Sequence, residues 1–261
     1  MVHAFKRSKI AFCLVTLLSA AIIVALWFRD RDHHIIVPII ASALMLGIGY
    51  ISSRIIANLV ASTENTRRLG YLHMELDPQK FLESYQDLPD KVKRDFSTRA
   101  IMRSYLADGY AAAGNFEAAL ETLSEDPPAD NLAVRGLYAG NRAACYLNLG
   151  DVDQAAEYLA QLEHIIDACR LKKADLASNL TEILKLHKQH LNCLQGKKVD
   201  TDYLESAFQR SQYNIRRLEI AKVLAMAALH DGDTTRAKEH LTFLRKNSGK
   251  THFKSWADRQ N

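Results

Sequence analysis

The sequence predicts an all-α protein in which an N-terminal two-helix transmembrane hairpin precedes a solenoid of about four helix pairs. Residues 10–28 and 35–53 form two apolar stretches that contain no charged residue. From residue 69 onward, apolar residues recur every three or four positions, which is the period of an α-helix, and no alternating strand-like run occurs there. The predicted parts are a hairpin, a linker with a capping helix, a repeat region and a basic tail, at residues 1–60, 61–97, 98–246 and 247–261.

The predicted hairpin consists of helices at residues 10–28 and 35–58. At a rise of about 1.5 Å per residue, each charge-free stretch reaches roughly 28 Å, which is close to the thickness of a hydrocarbon core. The polar residues 29–34 separate the two stretches and would form the connecting loop. The end of the first stretch lacks the small-x-small pattern that favours cleavage, so we interpret it as a retained helix, with a cleaved signal peptide as the alternative.

Basic residues near the ends of the hairpin predict its orientation. Three lie in the N-terminal tail and three follow the second stretch, whereas the loop carries only Arg29 and Arg31. This excess places both termini in the cytoplasm according to the positive-inside rule. We therefore expect an integral membrane protein, of a bacterial plasma membrane, that contacts the lipid bilayer through residues 10–58. The reversed topology is the alternative.

Charge and cysteine spacing exclude two classes of function. The net charge of +4 is confined to the first 60 residues, and the remainder carries equal numbers of basic and acidic residues, which argues against a nucleic-acid partner. Cys13, Cys145, Cys169 and Cys193 include no CxxC pair. This spacing is typical neither of a disulfide framework nor of a zinc site, so we expect free thiols.

The repeat region is predicted to consist of paired helices. Each pair is joined by a turn that contains glycine, which readily adopts the left-handed conformation that ends a helix. The predicted pairs cover residues 98–123, 134–169, 175–212 and 215–246. Before them, Asp77 and Pro78 predict the start of a capping helix, because aspartate suits the cap and proline the first helical position, and Pro89 ends it. The basic tail is expected to fray or to cap the last pair, and contact with anionic lipid is the alternative.

Three of the turns share one spaced motif. The aligned segments are Tyr110-x-x-x-Gly114-Asn115-Phe116-x-x-Ala119, Tyr146-x-x-x-Gly150-Asp151-Val152-x-x-Ala155 and Ala228-x-x-x-Gly232-Asp233-Thr234-x-x-Ala237. The glycines of the first two segments lie 36 residues apart, and so do Gly196 and Gly232. This pattern resembles the tetratricopeptide repeat, a helix-turn-helix unit of about 34 residues. The unit around Gly196 departs from it through a longer turn.

The resemblance implies that small residues lie where paired helices cross, so that neighbouring pairs share a core. These residues are Ala107, Ala143 and Ala225 on the first helices and Ala119, Ala155 and Ala237 on the second helices. An ordinary helical bundle with chance glycine turns is the alternative.

The resemblance also implies a concave face, formed by the first helices, that binds a protein or peptide. The residues expected on this face are Ser104, Asp108, Ala111, Ala144, Leu147, Asn148, Lys222, Met226 and Leu229. The carboxylate clamp of some family members is not supported, because Asn141 and Asn148 are one position off its usual sites. We therefore expect a membrane-anchored scaffold or adaptor. The alternatives are an envelope-side assembly factor or chaperone with reversed topology, and an enzyme or sensor with a site between repeats.

The sequence contains no glycine-rich phosphate loop, GxSxG elbow or HExxH motif, so we predict no enzymatic activity, no cofactor and no metal. His187, His190 and Cys193 come nearest to a metal-ligand spacing, but the third position is rotated away from the first on a helix. Their lysine neighbours, Lys185 and Lys188, favour a solvated helix face instead.

Overall fold

The computed structural model describes residues 10, 13–14, 16–18, 20–25, 36–92, 95–170 and 173–260. No described residue belongs to a β-strand, so the all-α prediction is confirmed for this part of the chain. The chain divides into two compact units, residues 1–68 and 69–261. The helices are α1 (Ile36–His73), α2 (Pro78–Tyr85), α3 (Leu88–Lys91), α4 (Phe96–Ala113), α5 (Phe116–Thr122), α6 (Leu132–Leu149), α7 (Val152–Arg170), α8 (Ala174–Leu194), α9 (Thr201–Arg210), α10 (Asn214–His230), α11 (Thr234–Asn247) and α12 (His252–Asp258).

The predicted transmembrane hairpin is wrong. Helix α1 contains most of the second predicted helix, 35–58, and the described residues between 10 and 25 are also helical. Within the described parts of the chain, no helix combines the length and the apolar content that crossing a bilayer requires. This finding contradicts the helices predicted at 10–28 and 35–58, and with them the integral-membrane localisation with cytoplasmic termini. The predicted loop, 29–34, lies outside the described residues.

The prediction rested on the length of two charge-free stretches, and it also misplaced the end of the second helix. The helix continues to His73 through the charged Arg67 instead of ending near residue 58. Residues 61–73, which the sequence assigned to a linker, therefore belong to α1.

In residues 69–261, helices pack as consecutive pairs. Helix α4 contacts α5, α6 contacts α7, and α10 contacts α11. The first helices also contact one another in order, because α4 packs on α6, α6 on α8 and α8 on α10. Helix α9, which follows the longer turn around Gly196, packs on α10. Helices α8 and α9, predicted as a pair at 175–212, contact each other less than the other pairs do, but α4, α6, α8 and α10 still form one continuous row.

The turns within pairs follow the cap chemistry of their sequences. Gly114 ends α4 at a φ of +87°, which glycine adopts without the steric penalty of a side chain, and the side chain of Asn115 accepts a hydrogen bond of 3.1 Å from the amide three residues on. Gly150, at a φ of +79°, and Asp151 repeat this arrangement after α6. The first two pairs are thus closed by the same local device.

All six alanines of the aligned segments and their first helices are buried. Their exposed fractions are 1% for Ala107, 0% for Ala119, Ala143, Ala155 and Ala225, and 2% for Ala237. Side chains this small allow close approach of packed helices, which is the packing that a stack of helix pairs needs. The family assignment itself stays a prediction.

The C-terminal tail is folded and packed. Helix α12 buries Phe253 and Ala257 in a cluster that also contains Leu76 and Leu218. It contacts α11 and α10 of the last pair and α4 of the first pair. Through these contacts, α12 links the two ends of the row of first helices, so the row is not open as a simple solenoid would be.

Candidate functional site

We call the nine predicted partner-binding residues on α4, α6 and α10 the inner face. The structure buries three of them and leaves one well exposed. The buried residues are Ser104, Leu147 and Lys222, and Leu229 is 40% exposed. The partly buried ones are Asp108, Ala111, Ala144, Asn148 and Met226. Much of the inner face is therefore covered by the protein's own helices.

Two hydrogen bonds join α4 to α6 at one end of the inner face. The side-chain amide of Asn141 donates to the carbonyl oxygen of Ser104 at 3.1 Å and to its hydroxyl oxygen at 3.2 Å. Ser104 is fully buried. Asn141 therefore forms hydrogen bonds inside the helix row. These bonds satisfy the buried polar groups of Ser104, which would destabilise the fold if they had no partner.

The structure brings together two inner-face residues that are distant in sequence. The ammonium of Lys222 on α10 donates a hydrogen bond of 2.5 Å to the side-chain oxygen of Asn148 on α6. Lys222 is only 5% exposed, and its ammonium lies 5.3 Å from the centre of the Trp256 ring. Burial lowers the pKa of Lys222 to about 8, although the carboxylate of Glu219 opposes this effect. A carboxylate would be a stronger partner for this ammonium than the neutral amide.

One carboxyl group, that of Glu219, lies near this lysine, and a second, that of Asp108, lies near Glu219. The pKa of Asp108 is raised to about 8, mainly by burial and also by the nearby Glu219, although a hydrogen bond from Asn141 acts to lower it. Burial also raises the pKa of Glu219, against the opposing effect of Arg216, which donates a hydrogen bond to it at 3.5 Å. At pH 7 Asp108 is therefore mostly protonated and can itself donate a hydrogen bond.

The histidines of α8 are buried, so the solvated face predicted for them is wrong. His187 is 8% exposed and His190 is 6% exposed. Burial lowers the pKa of His187 to about 3, with a contribution from the charge of Arg216, and lowers the pKa of His190 well below its usual range. No three His, Cys, Asp or Glu side chains among the described residues are grouped so that they could hold a metal ion.

The tail contributes two residues that the sequence pattern did not indicate. His252 on α12 donates a hydrogen bond from Nδ1 to the carbonyl oxygen of Ala112 at 3.2 Å, and Trp256 covers Lys222. Burial lowers the pKa of His252 to about 4, with a smaller effect from the charge of Lys222. The spacing of Phe253, Trp256 and Ala257 was the available signal, because these three positions share one face of a helix.

The candidate site is therefore a cluster of polar side chains along the row of first helices. Helices α4, α6, α8 and α10 contribute its hydrogen-bond donors and acceptors, and α12 covers it. In comparisons with known proteins, no family model, curated protein or solved structure matches this chain.

Proposed function

We propose that this chain is a scaffold or adaptor, built from tetratricopeptide-like helix pairs, that binds a protein partner or peptide at the inner face. The buried alanines at the helix crossings support the repeat architecture. The observation that carries the binding proposal is the contact between Lys222 and Asn148, because it sets a strong donor on the inner face opposite a weak acceptor. A carboxylate or carbonyl group of a bound peptide would replace that acceptor.

The surroundings of this donor suit a peptide. Met226 and Leu229 continue along α10 toward its C-terminal end, and Leu229 is exposed. Ala111 and Ala144 are small and partly buried, so they add little bulk to this face. A polar anchor beside an apolar strip is the arrangement by which grooves recognise helices and extended peptides.

Site-specific photo-crosslinking in the full chain tests this function. A photoreactive residue replaces Leu229 on the inner face, and in a matched control it replaces Glu157, which is exposed on the second helix of the second pair. We expect position 229, and not position 157, to give one discrete adduct with a protein, identified by mass spectrometry. The purified partner should then bind the wild-type chain and bind Lys222→Met at least about tenfold more weakly, because the charge-assisted bond is lost.

Two outcomes would contradict the proposal. One is the same set of adducts from both positions, which would indicate random collision. The other is a partner whose affinity is unchanged by Lys222→Met, since binding would then bypass the inner-face donor.

A further inference from the structure

Residues 248–258, here the C-terminal segment, are tied to the beginning of the second unit. The backbone amide of Lys250 donates to the carbonyl oxygen of Leu76 at 2.9 Å, and its ammonium lies 2.6 Å from a carboxylate oxygen of Asp77. The approach is close, because a Cβ atom on Gly249 would lie 2.8 Å from the same carbonyl oxygen. Leu76 adopts a φ of +56°, a conformation that side chains disfavour. This junction therefore depends on two unusual backbone positions.

The same segment covers the turn of the first helix pair. The ring of His252 packs edge-on against Phe116, with their centres 5.2 Å apart, and bonds to the carbonyl oxygen of Ala112. A Cβ atom on Gly114 would lie 2.9 Å from the Cβ atom of His252. The glycine of this turn consequently serves the contact with α12 as well as the end of α4.

The segment also covers the inner face. The Trp256 ring lies against the ammonium of Lys222, while Phe253 and Ala257 are buried beside Leu218 of α10. One short helix of the chain therefore covers the Lys222 ammonium, which is the group that we propose binds the partner. The residues of α12 that cover this surface are two aromatic residues three positions apart, Phe253 and Trp256, and the small Ala257 directly after them.

The C-terminal segment is attached by features that would allow another helix to displace it. Helix α12 has 7 residues, which is shorter than a helix that is stable in isolation. The ion pair with Asp77 is at the surface, where the Lys250 side chain is 68% exposed, and such pairs contribute little stability. A depression of about 380 Å³ between the end of α4 and α12, lined by Ala113, Lys254, Ser255 and others, gives access to its edge.

We propose that the surface beneath the C-terminal segment is the partner site, and that the segment occupies it until a short amphipathic helix of similar chemistry displaces it. The partner helix carries two aromatic residues three positions apart and a small residue next to the second. This inference rests on the proposed function, because the surface includes the inner-face donor Lys222.

A labelled peptide tests the displacement with the full chain. The probe is a fluorescein-labelled peptide of residues 247–261, and the control peptide has alanine in place of Phe253 and Trp256. We expect the double variant His252→Ala/Trp256→Ala to bind the probe about tenfold more tightly than the wild type, because a larger fraction of the surface is then free. Lys238→Ala, exposed on α11 and outside the segment, is the matched control and should bind like the wild type.

Hydrogen exchange on the wild type provides a second measurement that needs no variant. An excess of the unlabelled probe should speed amide exchange of residues 250–258 severalfold and leave α6 unchanged, whereas the control peptide should have no effect. Circular dichroism verifies that the double variant is folded. Equal affinity of folded wild type and double variant, or unchanged exchange at high probe concentration, would overturn the proposal.

Two further outcomes separate the alternatives. If loosening the segment produces a dimer in sedimentation experiments, with the segment exchanged between copies, the occupant is a second copy and the assignment to a partner protein fails. If position 229 crosslinks to a partner but the probe does not bind, the proposed function stands and displacement alone is wrong.

Discussion

At the scale of single residues, the small side chains and the buried ionisable groups have opposite effects. Ala119, Ala155 and Ala237 let paired helices approach and so favour burial of apolar neighbours. The partly buried Asp108 and the buried His187 have shifted pKa values, so they make stability depend on pH. Each effect can be tested by one substitution with a matched control.

Enlarging a crossing alanine should destabilise the chain. Ala155→Leu inserts a larger side chain into a fully packed crossing, where overpacking costs about 1–3 kcal/mol, and should lower the Tm by roughly 2–10 °C. Ala160→Leu, exposed on the same helix, should leave the Tm within about 1 °C. Thermal unfolding followed by circular dichroism measures both. Equal Tm values for the two variants would mean that the crossing is not tightly packed.

Replacing Asp108 should change the pH dependence of stability. Its pKa is about 8 in the folded chain and near 4 when unfolded, so between these values the folded state holds more protons and its stability falls as the pH rises. Asp108→Asn removes this loss. Relative to the wild type, the variant should gain a few kcal/mol of stability between pH 5 and pH 8 in urea unfolding, because each pH unit between the two pKa values is worth about 1.4 kcal/mol. The exposed Asp130→Asn should show no such trend, and a pH-independent difference for Asp108→Asn would contradict the assignment.

Replacing His187 should have the opposite pH dependence. Its pKa of about 3 in the folded chain is below the usual value near 6.5, so on acidification the unfolded state takes up a proton first and stability is lost between these values. His187→Gln cannot be protonated. Relative to the wild type, it should gain about 1–2 kcal/mol of stability between pH 7 and pH 4.5 in urea unfolding. The exposed His164→Gln is the control, and parallel curves for His187→Gln and the wild type would refute the prediction.

Among the helices, α12 is short but connects two distant parts of the second unit. It joins the end of the last pair to the first turn, and it does so at Gly114 rather than at the equivalent Gly150. Both glycines have a left-handed φ, so local backbone preference alone does not distinguish them. The difference between the two turns comes entirely from what packs on them.

Alanine substitution at these two glycines should separate the backbone effect from the contact with α12. In each variant, alanine must adopt the left-handed conformation, which lowers the free energy of unfolding by about 1–2 kcal/mol. Gly114→Ala additionally places a Cβ atom 2.9 Å from that of His252, whereas Gly150→Ala meets no atom within 4 Å. We expect Gly114→Ala to be less stable than Gly150→Ala and to speed amide exchange in α12, which Gly150→Ala should not do. Similar exchange of α12 in both variants would exclude the proposed contact.

At the scale of the second unit, residues 69–261, the pairs form a row whose ends are linked by contacts of long sequence separation. Lys250 bonds to Asp77 and Lys222 bonds to Asn148, in each case across several helices. Such links oppose the independent unfolding of terminal repeats that an open array allows. The inner face is consequently a packed and polar surface, and access to it depends on the C-terminal segment.

The helical class, the turns at Gly114 and Gly150 and the small residues at the crossings could all be predicted from the sequence, because apolar period, caps and left-handed glycine are local properties of the chain. The sequence was misleading for residues 10–58, where two charge-free stretches predicted a transmembrane hairpin that the described helices do not support. The burial of Lys222 and its cover by the tail could not be predicted in this way. These features arise from contacts between residues far apart in the chain, and no local periodicity records them.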